Sequence, residues 1–177
     1  MANLNLGVDN FKAKLTGGGA RANMFQATLN FPSFVTGNVE LTSFMCKGAS
    51  IPASIIAPIE VNFRGRKLFV AGDRTFEPWS VTIINDAGFE IRSAFEQWAN
   101  GINAHIDNSG LNNPLDYQAD MLVAQLDKEG DVTKEYTFRG CWPTKIAAID
   151  LNYDSADTIE EFTVEIQFDY WESDSTS

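Results

Sequence analysis

Carboxylates are the groups this chain has most of to do chemistry with, 24 Asp and Glu against 13 Lys and Arg, for a formal net charge of −11. Alternate residues on one strand face would loosely meet the carboxyl spacing of about 5 to 10 Å that glycoside hydrolysis needs. Every acidic, solvent-facing strand produces such pairs, so the spacing alone carries little. His105 is the one histidine, set in an Asn, Gly, Asp and Pro-rich segment without a neighbouring cysteine, and reads as a surface residue rather than a ligand or a base. No GxSxG, HExxH or CxxC is present, and a Ser-His-Asp set would have to be built on His105. Asp127-Lys128-Glu129-Gly130-Asp131 resembles a calcium loop in composition only, since its glycine comes fourth instead of sixth and strand-like segments flank it. Gly17-Gly18-Gly19 follows no strand and precedes no Gly-Lys-Ser/Thr, so it is no phosphate cradle. Cys46 and Cys141 lie far apart among apolar neighbours, which fits buried reduced thiols better than a disulfide. The expectation is a protein with no catalytic centre, no cofactor and no metal.

The chemistry left over is association. Arg64, Arg66, Lys67 and Arg74 gather four of the 13 basic residues into one short stretch of an acidic chain. Such a cluster suits the acidic face of another copy, with a solvated hairpin tip as the plainer reading. Gly48 to Pro58, containing Ile51, Pro52, Ile55 and Ile56, is uncharged and proline-punctuated, an odd composition for an exposed loop, and is expected to be buried in an assembly. The overall acidity works against tight, sequence-independent nucleic-acid binding. It is compatible with a wall along which a polyanion slides, although taken from composition alone acidity that merely keeps the protein soluble is the plainer reading.

These residues need elements to place them. Lys67 to Ala71 is apolar and β-prone, the chain breaks at Gly72-Asp73-Arg74, and Trp79, Val81 and Ile83 then alternate against Ser80 and Thr82 as in a strand. Ile91, Ala94, Phe95, Trp98 and Ile102 fall at helical spacing, with Glu90 near the start and Gly101 as a C-terminal stop. That helix offers one apolar face to a sheet. Ile59, Val61 and Phe63 alternate with Glu60, Asn62 and Arg64, and Gly65 turns the chain into Arg66, which predicts a long hairpin. Further strands are predicted over Asn23 to Phe31, Val39 to Lys47, Tyr117 to Leu126, Val132 to Arg139, Lys145 to Tyr153 and Glu160 to Trp171, with a bend at Gly140-Cys141-Trp142-Pro143-Thr144 that makes Trp142 a core plug. Val39 to Lys47 carries bulk on both sides, as a strand covered on both faces would.

A chain of 177 residues, 44% of them apolar and with 13 Phe, has enough material for one real core. No apolar run reaches the roughly 20 residues that cross a bilayer, and the N-terminus lacks the regions of a signal peptide, so synthesis and retention in a cytosol are expected. Residues 1–22, with Leu4, Leu6, Val8, Phe11 and Leu15, read as an arm; residues 23–172 as a single β-sandwich domain; residues 173–177 as a tail. The fold class expected is mainly β: an antiparallel β-sandwich or partly rolled barrel with one α-helix.

Several ordered motifs point further. Arg66-Lys67 ahead of Val70-Ala71-Gly72-Asp73-Arg74-Thr75-Phe76, then Trp79 and Asn85-Asp86, resembles the tail tube proteins of contractile-tailed bacteriophages. The resemblance extends to Cys46-Lys47 with Ile51-Pro52, to Trp142-Pro143-Thr144 and to Asp169-Tyr170-Trp171-Glu172, and so covers most of the chain from about Asn23. It implies a tail-tube-like subunit made in the host cytoplasm that closes into sixfold rings, stacked in the virion as a hollow tube inside a contractile sheath. The implied partners are other copies, the sheath, baseplate and tail terminator proteins, and a tape-measure protein and DNA that pass through without specific binding; no membrane insertion is implied. In the family the inner barrel is shared between neighbouring subunits, which makes Glu40, Thr42, Glu60 and Asn62 candidates for the lumen lining, and Arg64, Arg66, Lys67, Arg74, Ile51, Pro52, Ile55 and Ile56 candidates for the subunit interface. The alternatives are the tube of a related contractile injection system, of type VI secretion or of a phage-derived bacteriocin, and a monomeric β-sandwich binding module.

Overall fold

The computed structural model describes residues 7–15 and 18–176; Leu4, Leu6 and Gly17 of the expected arm lie outside the described residues. Along the chain come α1 (Val8–Lys14), β1 (Phe25–Thr28), α2 (Val39–Met45), β2 (Cys46–Ala49), β3 (Ser54–Phe63), β4 (Arg66–Phe76) and β5 (Trp79–Ile84). Then follow α3 (Glu90–Ile102), α4 (Pro114–Tyr117), β6 (Ala119–Leu126), β7 (Val132–Ile146), β8 (Glu161–Gln167) and β9 (Tyr170–Ser173). All strand pairs are antiparallel, in the order β1-β6-β7-β8-β5-β2, with β9 also beside β7 and the β3–β4 hairpin standing apart as its own two-stranded sheet.

Two layers arise because β7 changes partners along its length. Its first part pairs with β6 and β9, its last part with β8. The change falls at Gly140, whose φ of 66° lies in the left-handed region that glycine enters without strain. A Cβ there would lie 2.4 Å from Asp169 Oδ2, so the bend also brings two segments too close for a side chain. On the other segment the ladder lapses at Phe168-Asp169 before resuming as β9, and the Asp169 N–H donates to the Arg139 carbonyl at 2.9 Å. The folded-over faces meet in the core, where Trp79 of β5 stacks on Phe138 of β7 at 4.5 Å. Val81, Ile83, Phe162, Val164 and Ile166 are all buried there, as their alternation predicts.

Helix α3 closes one side through Ile91, Ala94, Phe95 and Trp98, all buried. The indole N–H of Trp98 donates to the Tyr117 carbonyl at 2.7 Å, so the core keeps no unmet donor at that point. Asp86 begins the helix: its carboxylate accepts from the N–H groups of Glu90 and Ile91 at 2.9 and 3.2 Å. Burial works against ionisation, yet these N–H groups, with those of Asp86 itself and Gly88, outweigh it and hold the carboxyl below its ordinary range.

Several expectations change. Val39 to Met45 is helix, not strand: the Asn38 side chain caps it by accepting from the Leu41 N–H at 3.0 Å, and Leu41 and Met45, one turn apart, pack against the core. The bulk on both sides of that segment was the mark of a helix, and only Cys46 onward is strand. Gly72 does not break a strand. β4 runs through it with a bulge opposite Ala57, where a Cβ would meet the Ala57 carbonyl at 2.5 Å. Gly101 lies inside α3 rather than past its end, and its role is to leave room, since a Cβ there would be 2.3 Å from the Phe34 ring. The strand expected over Lys145 to Tyr153 stops at Ile146, leaving 147–160 without strand, and Trp142 is partly buried within β7, not at a turn. Among the described residues α3 is the one long helix; α1, α2 and α4 are short.

Candidate assembly surface

The β3–β4 hairpin is built like an element that waits for a partner. Its strands have 10 and 11 residues and so extend on the order of 35 Å. Arg64 and Gly65, at φ 48° and 80°, form the tight left-handed turn that suits the strand twist. Cross-strand register puts Val61 opposite Leu68, Ile59 opposite Val70 and Phe63 opposite Arg66, so one face is apolar apart from its arginine. The other face carries Glu60 opposite Phe69 and Asn62 opposite Lys67. Ile59, Val61, Phe63, Leu68, Phe69 and Val70 are each 44% to 64% exposed. At the base, Phe76 packs against Phe168 and Trp171 with ring centroids 5.8 and 5.9 Å apart, which fixes the hairpin to the body. A lone two-stranded ribbon is marginal in water, and its outer edges offer rows of unpaired backbone groups. An exposed apolar ribbon of this length is the kind of patch that single soluble subunits seldom leave open to water.

The residues singled out from the sequence fall in different places. Arg64 lies over the Phe63 ring at 5.4 Å, Arg66 joins the apolar face, and Arg74 stands opposite Ile56 near the bulge. Lys67 is ion-paired with Glu60 at 2.9 Å. Exposed Ile51, Ile55 and Ile56 flank the hairpin base, whereas Pro52 is buried within the subunit. Asn62 is exposed on the Glu60 face. Glu40 is exposed but on α2. Thr42 is fully buried, its hydroxyl donating to the Asn38 carbonyl at 2.7 Å, and so does not belong among surface-lining residues. Val61, Phe63, Leu68, Phe69 and Val70 complete this surface and are not residues that the charge cluster singles out. The signal available was apolar alternation on both strands of a hairpin.

Elsewhere the reactive groups are quiet. Burial pushes the Cys46 thiol up to about 11 and, with Asp120 adding to it, the Cys141 thiol up to about 12, and both are free. His105 is exposed in the loop after α3. Asp127 spends its carboxylate on the β6–β7 turn, accepting from the N–H groups of Glu129 and Asp131. Arg139 bridges Asp120 and Glu172 at 2.6 and 2.5 Å, and these carboxylates push its already high pKa higher still. Among the described residues no group of three or more His, Cys, Asp or Glu side chains is placed to hold a metal ion, and no helix is long and apolar enough to cross a membrane.

Comparison with known proteins bears on what this surface is for. The family model described as "Phage tail tube protein" matches residues 9–174. Tail tube protein gp19 of Enterobacteria phage T4 is 35% identical over 154 residues, spanning 86% of this chain and 91% of that protein. The tail tube protein of Serratia phage KSP90 is 30% identical over 166 residues, spanning 91% and 93%. Among solved structures, a chain of the anti-feeding prophage baseplate superposes with a TM-score of 0.67 at 11% identity, covering 88% of this chain and 95% of that one. A chain of the sheath–tube complex of the PVC extracellular contractile injection system gives 0.63, also at 11% identity, covering 91% and 95%. At those identities the structures speak for the fold, while the family model and the phage relatives speak for descent. With nearly its whole length matched, this chain belongs to the phage tail tube protein family.

Proposed function

We propose that the chain is the repeating subunit of the tube inside a contractile phage tail, that six copies close into a ring, and that stacked rings form the conduit for the genome. The observation that carries this reading is the β3–β4 hairpin, a long apolar ribbon with both outer edges unpaired in the described chain. Hairpins from neighbouring copies satisfy those edges by strand pairing and close an inner barrel shared by the ring. The face with Ile59, Val61, Phe63, Leu68 and Val70 packs against adjoining copies, and the face with Glu60 and Asn62 borders the bore. Glu40 lies outside the hairpin's register, so the proposed lining rests on Glu60 and Asn62. Arg64, Arg66 and Arg74, with Ile51, Ile55 and Ile56, are proposed contacts between copies; Lys67, held by Glu60, is on the lining side.

The work is architectural and has no catalytic step. Its partners are other copies, a surrounding sheath and the proteins that start and end the tube, while DNA and a length-setting protein pass through without being held. Negative-stain microscopy of the purified protein tests the reading. Hollow sixfold tubes are the expected result, and a protein that stays monomeric at high concentration and never adds to tubes on a supplied baseplate would overturn it.

A further inference from the structure

A second unpartnered surface lies away from the hairpin. Residues 148–160 leave the end of β7 and return to β8, with the loop's ends held by the Ala147 N–H donating to the Thr163 carbonyl and the Asn85 N–H donating to the Glu160 carbonyl. Ile149 is anchored against the core, but Leu151, Tyr153 and Ile159 are 79%, 106% and 69% exposed. Among them stand Asp150, Asp154 and Asp157, and the loop contains no cation. It is both apolar and acidic. A strand could not satisfy it, because the loop has no strand edge to pair with. Whatever covers it must come with its own backbone hydrogen bonds complete and must bring side chains alone.

Helix α1 meets that description. None of its residues is buried. Val8 and Phe11, with Leu15 at the C-cap, are spaced to lie along one side and are 69%, 66% and 45% exposed, while Lys12 and Lys14 fall in the last turn. A helix of seven residues does not hold in water on propensity alone, so packing must support it. The apolar side chains named on the loop and on the helix are all exposed, so they do not cover each other within one subunit. We propose that α1 of one copy docks on the 148–160 loop of another, setting Val8, Phe11 and Leu15 on Leu151, Tyr153 and Ile159 and placing Lys12 and Lys14 against the aspartates. The hairpin tip is also basic and apolar, but its strands have backbone edges that call for strand pairing, and α1 has none. This contact deepens the self-assembly reading and rests on it.

The test uses full-length protein in two populations, one carrying Phe11→Cys and the other Tyr153→Cys, mixed before assembly and treated with a thiol-reactive bis-maleimide. Cys141 is buried, and Cys46 is half-buried with its thiol pushed up to about 11, which keeps the background low. A cross-linked dimer in the mixture, and not in either population alone, is expected. Reversing Lys12 and Lys14 to Glu should raise the concentration needed for assembly about tenfold, and adding Asp150→Lys and Asp154→Lys should restore it. Tubes that form normally with no mixed dimer and no effect of reversal would overturn the docking and leave the tube reading intact; absence of tubes from the unaltered protein would remove both. Dimers formed equally by either population alone would also overturn it, since they would show the two patches meeting themselves.

Discussion

At the residue scale, the tightest constraints are imposed by backbone geometry that side chains could not tolerate. Asp86 gives a test with a definite sign. Its carboxylate caps α3, and its folded pKa lies below the ordinary value near 3.9. A carboxyl depressed in the folded state stabilises above its unfolded pKa, and the contribution disappears as pH falls through the folded value. Asp86→Ala should therefore cost about 1 kcal/mol near neutral pH, and the gap to the unaltered protein should narrow only below about pH 4. Urea titrations at several pH values read this directly, and a gap that widens on acidification would contradict it. Asn85-Asp86 was legible as the end of a strand, but the cap was not, because the carboxylate reaches amides four and five residues on through a turn that places Phe89 at φ 57°. Gly101 and Gly140 teach the same lesson. In sequence Gly101 reads as a helix stop and Gly140 as part of a bend, and here each accommodates a neighbour, Phe34 or Asp169, that only the fold brings near.

At the element scale, β5, β8 and α3 were legible because one face of each meets a single core, so their periodicity is clean. α2 was not. In seven residues a helix shows barely two turns, and its apolar positions Val39, Leu41, Phe44 and Met45 satisfy an alternating template almost as well. The hairpin was legible as strands and, through its basic cluster, as a contact surface, but not as an exposed apolar face, since in sequence such alternation reads the same whether it meets a core or solvent. That difference is measurable. Leu68 is 53% exposed, so Leu68→Asp should leave the urea midpoint of the free subunit nearly unchanged, within roughly 0.5 kcal/mol, and abolish tube formation. Amides of β3 and β4 should exchange with solvent quickly in the free subunit and slowly in the tube. A variant that unfolds the free subunit, or one that still forms tubes, would show that the hairpin's support comes from elsewhere.

At the scale of the whole molecule, the net charge of −11 is not spread evenly, and the hairpin is where basic residues collect. A bore bordered by Lys67 would attract phosphates if that lysine were free, and contacts repeated ring upon ring would hold the genome by counterion release. Glu60, 2.9 Å away, cancels it. Exposed pairs of this kind contribute little to stability, so its use would lie in the field it shows to a passing polyanion. Glu60→Gln would add one positive charge per subunit and Glu60→Lys two, at a site where neither change disturbs a buried group. Tubes should still form with both, while DNA ejection should slow in that order and recover as salt is raised, because more counterions then compete for the phosphates. The Gln variant separates charge from shape, since it keeps the length of the side chain. Ejection at the unaltered rate in both variants would place Glu60 and Lys67 away from the path of the genome.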